Sequence, residues 1–151
     1  MELTDIDQMP AGREMDALVA ERVMGWELLS LGYVGTESET QRQRELSDWM
    51  ERVELTYVGS YWIDVATDFW IEVDSWHPSQ EDAPAFQVVD KMIANGWRFS
   101  LSYDPYRGEG KPAWRASFCR FGGRANKAYS GQRDEAICRA ALKAKEAERA
   151  G

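Results

Sequence analysis

Apolar and polar positions along the chain mark out a series of helices and strands. Met15, Leu18, Val19, Arg22 (through its aliphatic stem) and Val23 recur at the spacing of one buried helical face. Pro10 lies near the start of this predicted helix, Glu14 and Asp16 sit in its first turns, and Gly25 ends it. A second helical stripe runs through Phe86, Val89, Met92 and Ile93. It opens at Ser79-Gln80-Glu81-Asp82, a capping-box pattern with Asp in the last place, and closes at Asn95-Gly96. A third covers the chain from about Gln132, with Ile137, Ala140, Ala141 and Ala144 inward.

Strands show the shorter period. Trp97, Phe99, Leu101 and Tyr103 alternate strictly with Arg98, Ser100 and Ser102. Ala113 to Phe121 returns as a partner strand with Trp114, Ala116 and Phe118 on one side. The loop between them carries Asp104-Pro105, Gly108, Gly110 and Pro112. Val53 to Trp76 is dense in β-branched and aromatic residues. Within it Val53–Val58 and Tyr61–Val65 are predicted to pair through Gly59-Ser60, and Phe69, Ile71 and Val73 to line one buried face. Leu28 to Val34 is apolar without a clear period. Thr36 to Arg52 reads either as a solvated helix near Glu45 to Glu51 or as a surface loop. This order predicts an α+β protein, with helices packed on a central, mainly antiparallel sheet.

The 151 residues suit a single domain, taken as 1–151. No apolar run approaches the ~20 residues of a membrane span, and the acidic segment Met1 to Pro10 is not a secretory signal. Cys119 and Cys138 stand apart from any metal-binding spacing and are expected as reduced thiols. A cytoplasmic protein is therefore expected.

Net charge is −8, which argues against general nucleic-acid binding. The charge is unevenly spread. Trp97 to Arg133 holds eight bases (Arg98, Arg107, Lys111, Arg115, Arg120, Arg124, Lys127, Arg133) and two acids, Asp104 and Glu109. The segment is +6 and the remainder −14.

Several segments resemble the phage ABA-sandwich domain family. They are Met9 to Glu21 followed by Val23-Met24-Gly25-Trp26, then Phe86 to Met92, Phe99 to Tyr103, and Ala136 to Leu142. The resemblance implies a three-layer α/β/α sandwich and a phage origin, hence action inside the infected bacterial cell. Residues 27–76 depart from the short connection usual in the family and read as an expansion. No catalytic residues come with the resemblance. Small phage proteins of this general kind include sponges that sequester nucleotide signals of bacterial immunity such as CBASS and Thoeris.

The residues themselves give no catalytic constellation. His77 is the single histidine, with no nucleophile motif beside it, and Gly108-Glu109-Gly110-Lys111 lacks P-loop spacing. Asp64, Asp68, Glu72 and Asp74 read as solvated carboxylates rather than metal ligands. A binding protein without metal or cofactor is expected, not an enzyme. The basic aromatic hairpin has the parts of a nucleotide site, which takes stacking for a base and cations for phosphate. Its candidates are Tyr103, Tyr106, Arg107, Lys111, Trp114, Arg115 and Arg124. Arg13, at a helix start, and Trp26 are further candidates. The competing expectation is that the aromatics are core and the arginines pair with the acidic helices. The aromatic content also favours a homo-oligomer. The second functional reading is an acidic module whose −14 remainder engages a host or phage protein.

Overall fold

The computed structural model describes residues 2–32 and 41–150, with only the backbone described at 41–43. In chain order the elements are helix α1 (Leu3–Gln8), helix α2 (Arg13–Leu18) running into a π-helical turn (Val19–Val23), strand β1 (Glu27–Leu31), helix α3 (Gln41–Arg52), strands β2 (Gly59–Asp64) and β3 (Phe69–Glu72), helix α4 (Asp82–Ala94), strands β4 (Arg98–Tyr103), β5 (Trp114–Cys119) and β6 (Asn126–Ser130), and helix α5 (Arg133–Ala150). The protein is α+β. Its strands form two separate antiparallel sheets, β1-β2-β3 and β4-β5-β6, where the sequence pointed to one central sheet. The chain divides into two compact units, one made of Met1–Gly25 with Trp76–Gly151, the other of Trp26–Ser75.

In the larger unit α5 is the organising element. It packs on β5 and β6 and also on α1, α2, the π-helical turn and α4. Small side chains allow this close approach: Ala136, Ala140, Ala141 and Ala144 are fully buried, against Ala116, Phe118 and Ala128 of the sheet. Arg139 ties α5 to the other end of the chain. Its guanidinium donates to the carbonyls of Ile6 (3.2 Å), Met9 (2.8 Å) and Tyr129 (3.0 Å) and pairs with Glu135. The predicted long first helix is α2 plus the π-helical turn, and Arg22 of that turn pairs with Glu146.

Ser79 does not cap α4, whose N-cap is Glu81. Instead its N–H donates to Asp16 Oδ1 (2.9 Å) and its hydroxyl accepts from the N–H of Gly12 (3.0 Å), the N-cap of α2. The cap-like serine thus serves a helix 67 residues away. The buried stripe of α4 is Ala85, Val88, Val89 and Met92, while the predicted Phe86 and Ile93 are 39% and 52% exposed. Gly96, at φ 93°, turns the chain out of α4 as expected.

In the smaller unit Leu29, Tyr61 and Ile63 of the sheet bury against Leu46 and Trp49 of α3 and against Leu55. Residues 41–52 resolve as helix rather than loop, and 33–40, the end of the apolar run and start of the charged stretch, lie outside the described residues. The predicted hairpin through Gly59-Ser60 is incorrect. Val53 and Leu55 close the end of α3, through N–H groups bonded to Trp49 and Met50, with Glu54 left-handed between them. Gly59 and Ser60 are strand residues, paired with Leu31 and Ser30. Phe69 and Ile71 are not on a single buried face either: every residue from Phe69 to Ile71 is half-buried, and Val73 belongs to a 3-10 turn.

Candidate basic face of the second sheet

Antiparallel register sorts the β4-β5-β6 residues onto two faces. One face, carrying Phe99, Leu101, Tyr103, Trp114, Ala116, Phe118 and Ala128, includes the side chains buried under α5. The other is polar and basic. Its rows are Arg98 beside Cys119, then Ser100, Ser117 and Lys127, then Ser102, Arg115 and Tyr129. Arg98, Ser100, Ser102, Lys127 and Tyr129 on this face are exposed.

The hairpin loop adds a fourth group. Arg107 places its guanidinium over the Tyr129 ring, 3.8 Å from the centroid, and is held there by a 3.0 Å bond from Nη1 to the Pro112 carbonyl. Arg115 lies directly opposite Tyr129 in the register, and Lys127 is two residues along the same strand. Arg115, Lys127 and Ser102 are thus register neighbours, on one face, of the tyrosine that Arg107 covers. Arg115 Nε is buried and has no hydrogen-bond partner among the described residues.

The charge pairing of the basic segment is selective. Arg120 pairs with Glu148 (2.7 Å) and Arg133 with Asp82, both on helices. The other six bases (Arg98, Arg107, Lys111, Arg115, Arg124 and Lys127) make no salt bridge among the described residues; outside the segment Arg22, Arg52, Arg139, Lys143, Lys145 and Arg149 do, and Arg44 and Lys91 do not. The expectation that the arginines of this segment pair with the acidic helices holds for two of the six, Arg120 and Arg133.

The remaining sequence candidates separate. Tyr103 and Trp114 meet at a tilt, ring centres 4.8 Å apart, on the opposite face, with Arg133 over the Trp114 ring. Tyr106 and Lys111 are exposed in the loop, Tyr106 at 93%. Arg124 lines a cleft of about 360 Å³ with Trp97, Arg120 and Asn126. Arg13 is exposed at the start of α2. Trp26 belongs to the smaller unit, 9% exposed and stacked on Phe69 at 4.8 Å. Only Arg107 and Arg115 of the predicted set come together on the basic face. Tyr129 was missed because β6 carries no strand pattern of its own. Its five residues hold no β-branched side chain, and Ala128 is its single inward apolar residue.

His77 has a carboxylate neighbour: its Nδ1 lies 3.6 Å from Asp16 Oδ2. Burial pushes the Asp16 carboxyl above its ordinary range, opposed by the Ser79 hydrogen bonds and the His77 imidazole. The nearby Ser79 is 1% exposed, and its oxygen is engaged by Gly12, so the trio is a structural clamp rather than an open nucleophile. In the acidic series, Asp64 accepts from the Ala66 N–H, and Asp68 accepts from Trp49 and Arg52. Among the described residues no cluster of three or more His, Cys, Asp or Glu is placed to hold a metal, and no helix is long and apolar enough to cross a membrane.

The profile of the phage ABA sandwich domain matches residues 17–142. The chain belongs to that family. Neither a curated protein nor a solved structure matches it. The matched range spans residues of both compact units.

Proposed function

We propose that this phage-family protein binds a phosphate-bearing nucleotide on the basic face of β4-β5-β6 and holds it without chemistry. The supporting observation is that Arg107, Arg115 and Lys127, gathered by the register beside Tyr129 on that face, make no salt bridge among the described residues of a protein of net charge −8. Leaving cations unneutralised beside a surplus of carboxylates keeps them available for an external anion. Arg107, Arg115 and Lys127 would take phosphate, and Tyr129 with the Arg107 plane would take the base. On this reading the ligand is a nucleotide signal of host defence of the CBASS or Thoeris type, and sequestration occurs in the cytoplasm of the infected cell.

The test is a thermal-shift screen against cyclic di- and trinucleotides and ADP-ribose derivatives, with recovery of each hit after denaturation. Ligand at ~100 times its Kd adds about 2.7 kcal/mol to stability. A hit returned intact supports sequestration, and a hit returned cleaved overturns it in favour of an enzyme. No shift with any nucleotide moves the function to the acidic surface and a protein partner.

A further inference from the structure

Among the described residues strand β4 has a neighbour on one side only, β5, and ends the sheet. Which of its backbone groups are left over follows from one hydrogen bond. The Asp104 N–H donates to the Ala113 carbonyl at 2.9 Å, in line with the β4–β5 register. Residues 98, 100, 102 and 104 therefore turn their N–H and C=O toward β5. Phe99, Leu101 and Tyr103 turn theirs outward. This edge has six residues without proline, lysine or a bulge, the devices that usually protect an edge.

The apolar groups on this side of the unit are also uncovered. Tyr103 is 56% exposed, and α4 leaves Phe86 and Ile93 open. Phe86 meets Phe99 edge-on at 6.5 Å, so the exposed stripe of α4 borders the edge strand.

We infer that β4 pairs antiparallel with β4 of a second copy about a two-fold axis at Leu101, joining two three-stranded sheets into one of six. One register satisfies every constraint. Outward residues must face outward residues, and a two-fold axis at Leu101 sets Leu101 opposite Leu101 and Phe99 opposite Tyr103. All three outward residues of each copy then exchange hydrogen bonds, whereas an axis at Ser100 leaves Tyr103 unused. The same register sets Ser100 opposite Ser102 and Arg98 opposite the second copy's Asp104. Arg98 has no carboxylate partner within its own chain among the described residues. Asp104 uses Oδ1 for the Tyr106 N–H and makes no salt bridge there either. Two unpaired opposite charges thus meet twice, once on each side of the axis. The partner surface is this chain's own edge, and the inference does not depend on nucleotide binding.

Sedimentation of the full chain at micromolar concentration is expected to give a dimer. Leu101→Pro removes an outward N–H and costs no bond to β5, so the fold should survive while dimer affinity falls about tenfold or more. Arg98→Asp and Asp104→Lys should each weaken the dimer, and the double variant should recover it. A monomer at all concentrations overturns the inference. So does a dimer indifferent to Leu101→Pro, or charge variants whose combination gives no recovery.

Discussion

Arg107 lies 3.8 Å from the centre of the Tyr129 ring while Arg115 occupies the register position opposite that tyrosine. The stack fixes a loop guanidinium over a strand aromatic, so the face has a rigid centre. Tyr129→Ala and Arg115→Ala should each reduce affinity for a nucleotide hit about tenfold or more. Lys111→Ala, in the exposed loop, should change it little. Tyr129→Ala should also cost about 0.5–1 kcal/mol of stability through the lost cation–π contact. Titration calorimetry and denaturant melts of the variants check both.

Asp82 and Asp134 give a pH signature with two opposite slopes. The Arg133 guanidinium holds the Asp82 carboxyl down at about 2, while burial and the Asp82 carboxylate push Asp134 up to about 6. Both start from 3.8 in the unfolded chain. The lowered Asp82 therefore adds stability above pH ~4 that is lost as pH falls toward 2. The raised Asp134 adds stability below pH ~4 that is lost as pH rises toward 6. Asp134→Asn should flatten the melting-temperature profile between pH 4 and 6 and raise stability at pH 7. A profile unchanged by the substitution would contradict this.

Arg139 is 8% exposed and satisfies carbonyls from three separate segments. Removing it strands those acceptors and the Glu135 carboxylate. Arg139→Ala should destabilise the protein by about 3 kcal/mol. Hydrogen exchange should show loosening at residues 3–9, where two of the bonds land.

In the smaller unit, Asp68 accepts from Trp49 Nε1 (3.0 Å) and Arg52 (2.8 Å), and it adopts left-handed backbone at φ 57°. Asp68→Ala loses both bonds and places a less tolerant residue at positive φ. A lower melting temperature follows, with a shift in Trp fluorescence from Trp49. Asp68→Asn should recover most of it.

What the sequence made legible tracks how much of each signal is local. The β4 alternation, the Asn95-Gly96 stop and the alanine stripe of α5 were readable because one element carries the whole pattern. Ser79 was misread because its sequence context is that of a cap, while its partners Gly12 and Asp16 are supplied by tertiary packing. The hairpin at Gly59-Ser60 failed for a related reason: the turn-like pair is spent inside a central strand, and β1 lies on the far side of α3 in sequence. For the candidate site, the charge asymmetry marked the segment that carries the basic face. Which bases remain unpaired, and which share a face with Tyr129, depended on β6, whose pattern is too short to read alone.

The bonds from Arg139 to Ile6 and Met9, and from the Gly12 N–H to Ser79, join two stretches of the larger unit that residues 26–75 separate in sequence. During synthesis the opening helices must wait for nearly the whole chain before α5 exists to hold them. The smaller unit, contiguous in sequence, has all of its residues available long before that. Translation therefore sets an order of assembly in which the smaller unit matures first and the larger unit, with its basic face, becomes competent only once α5 has been made.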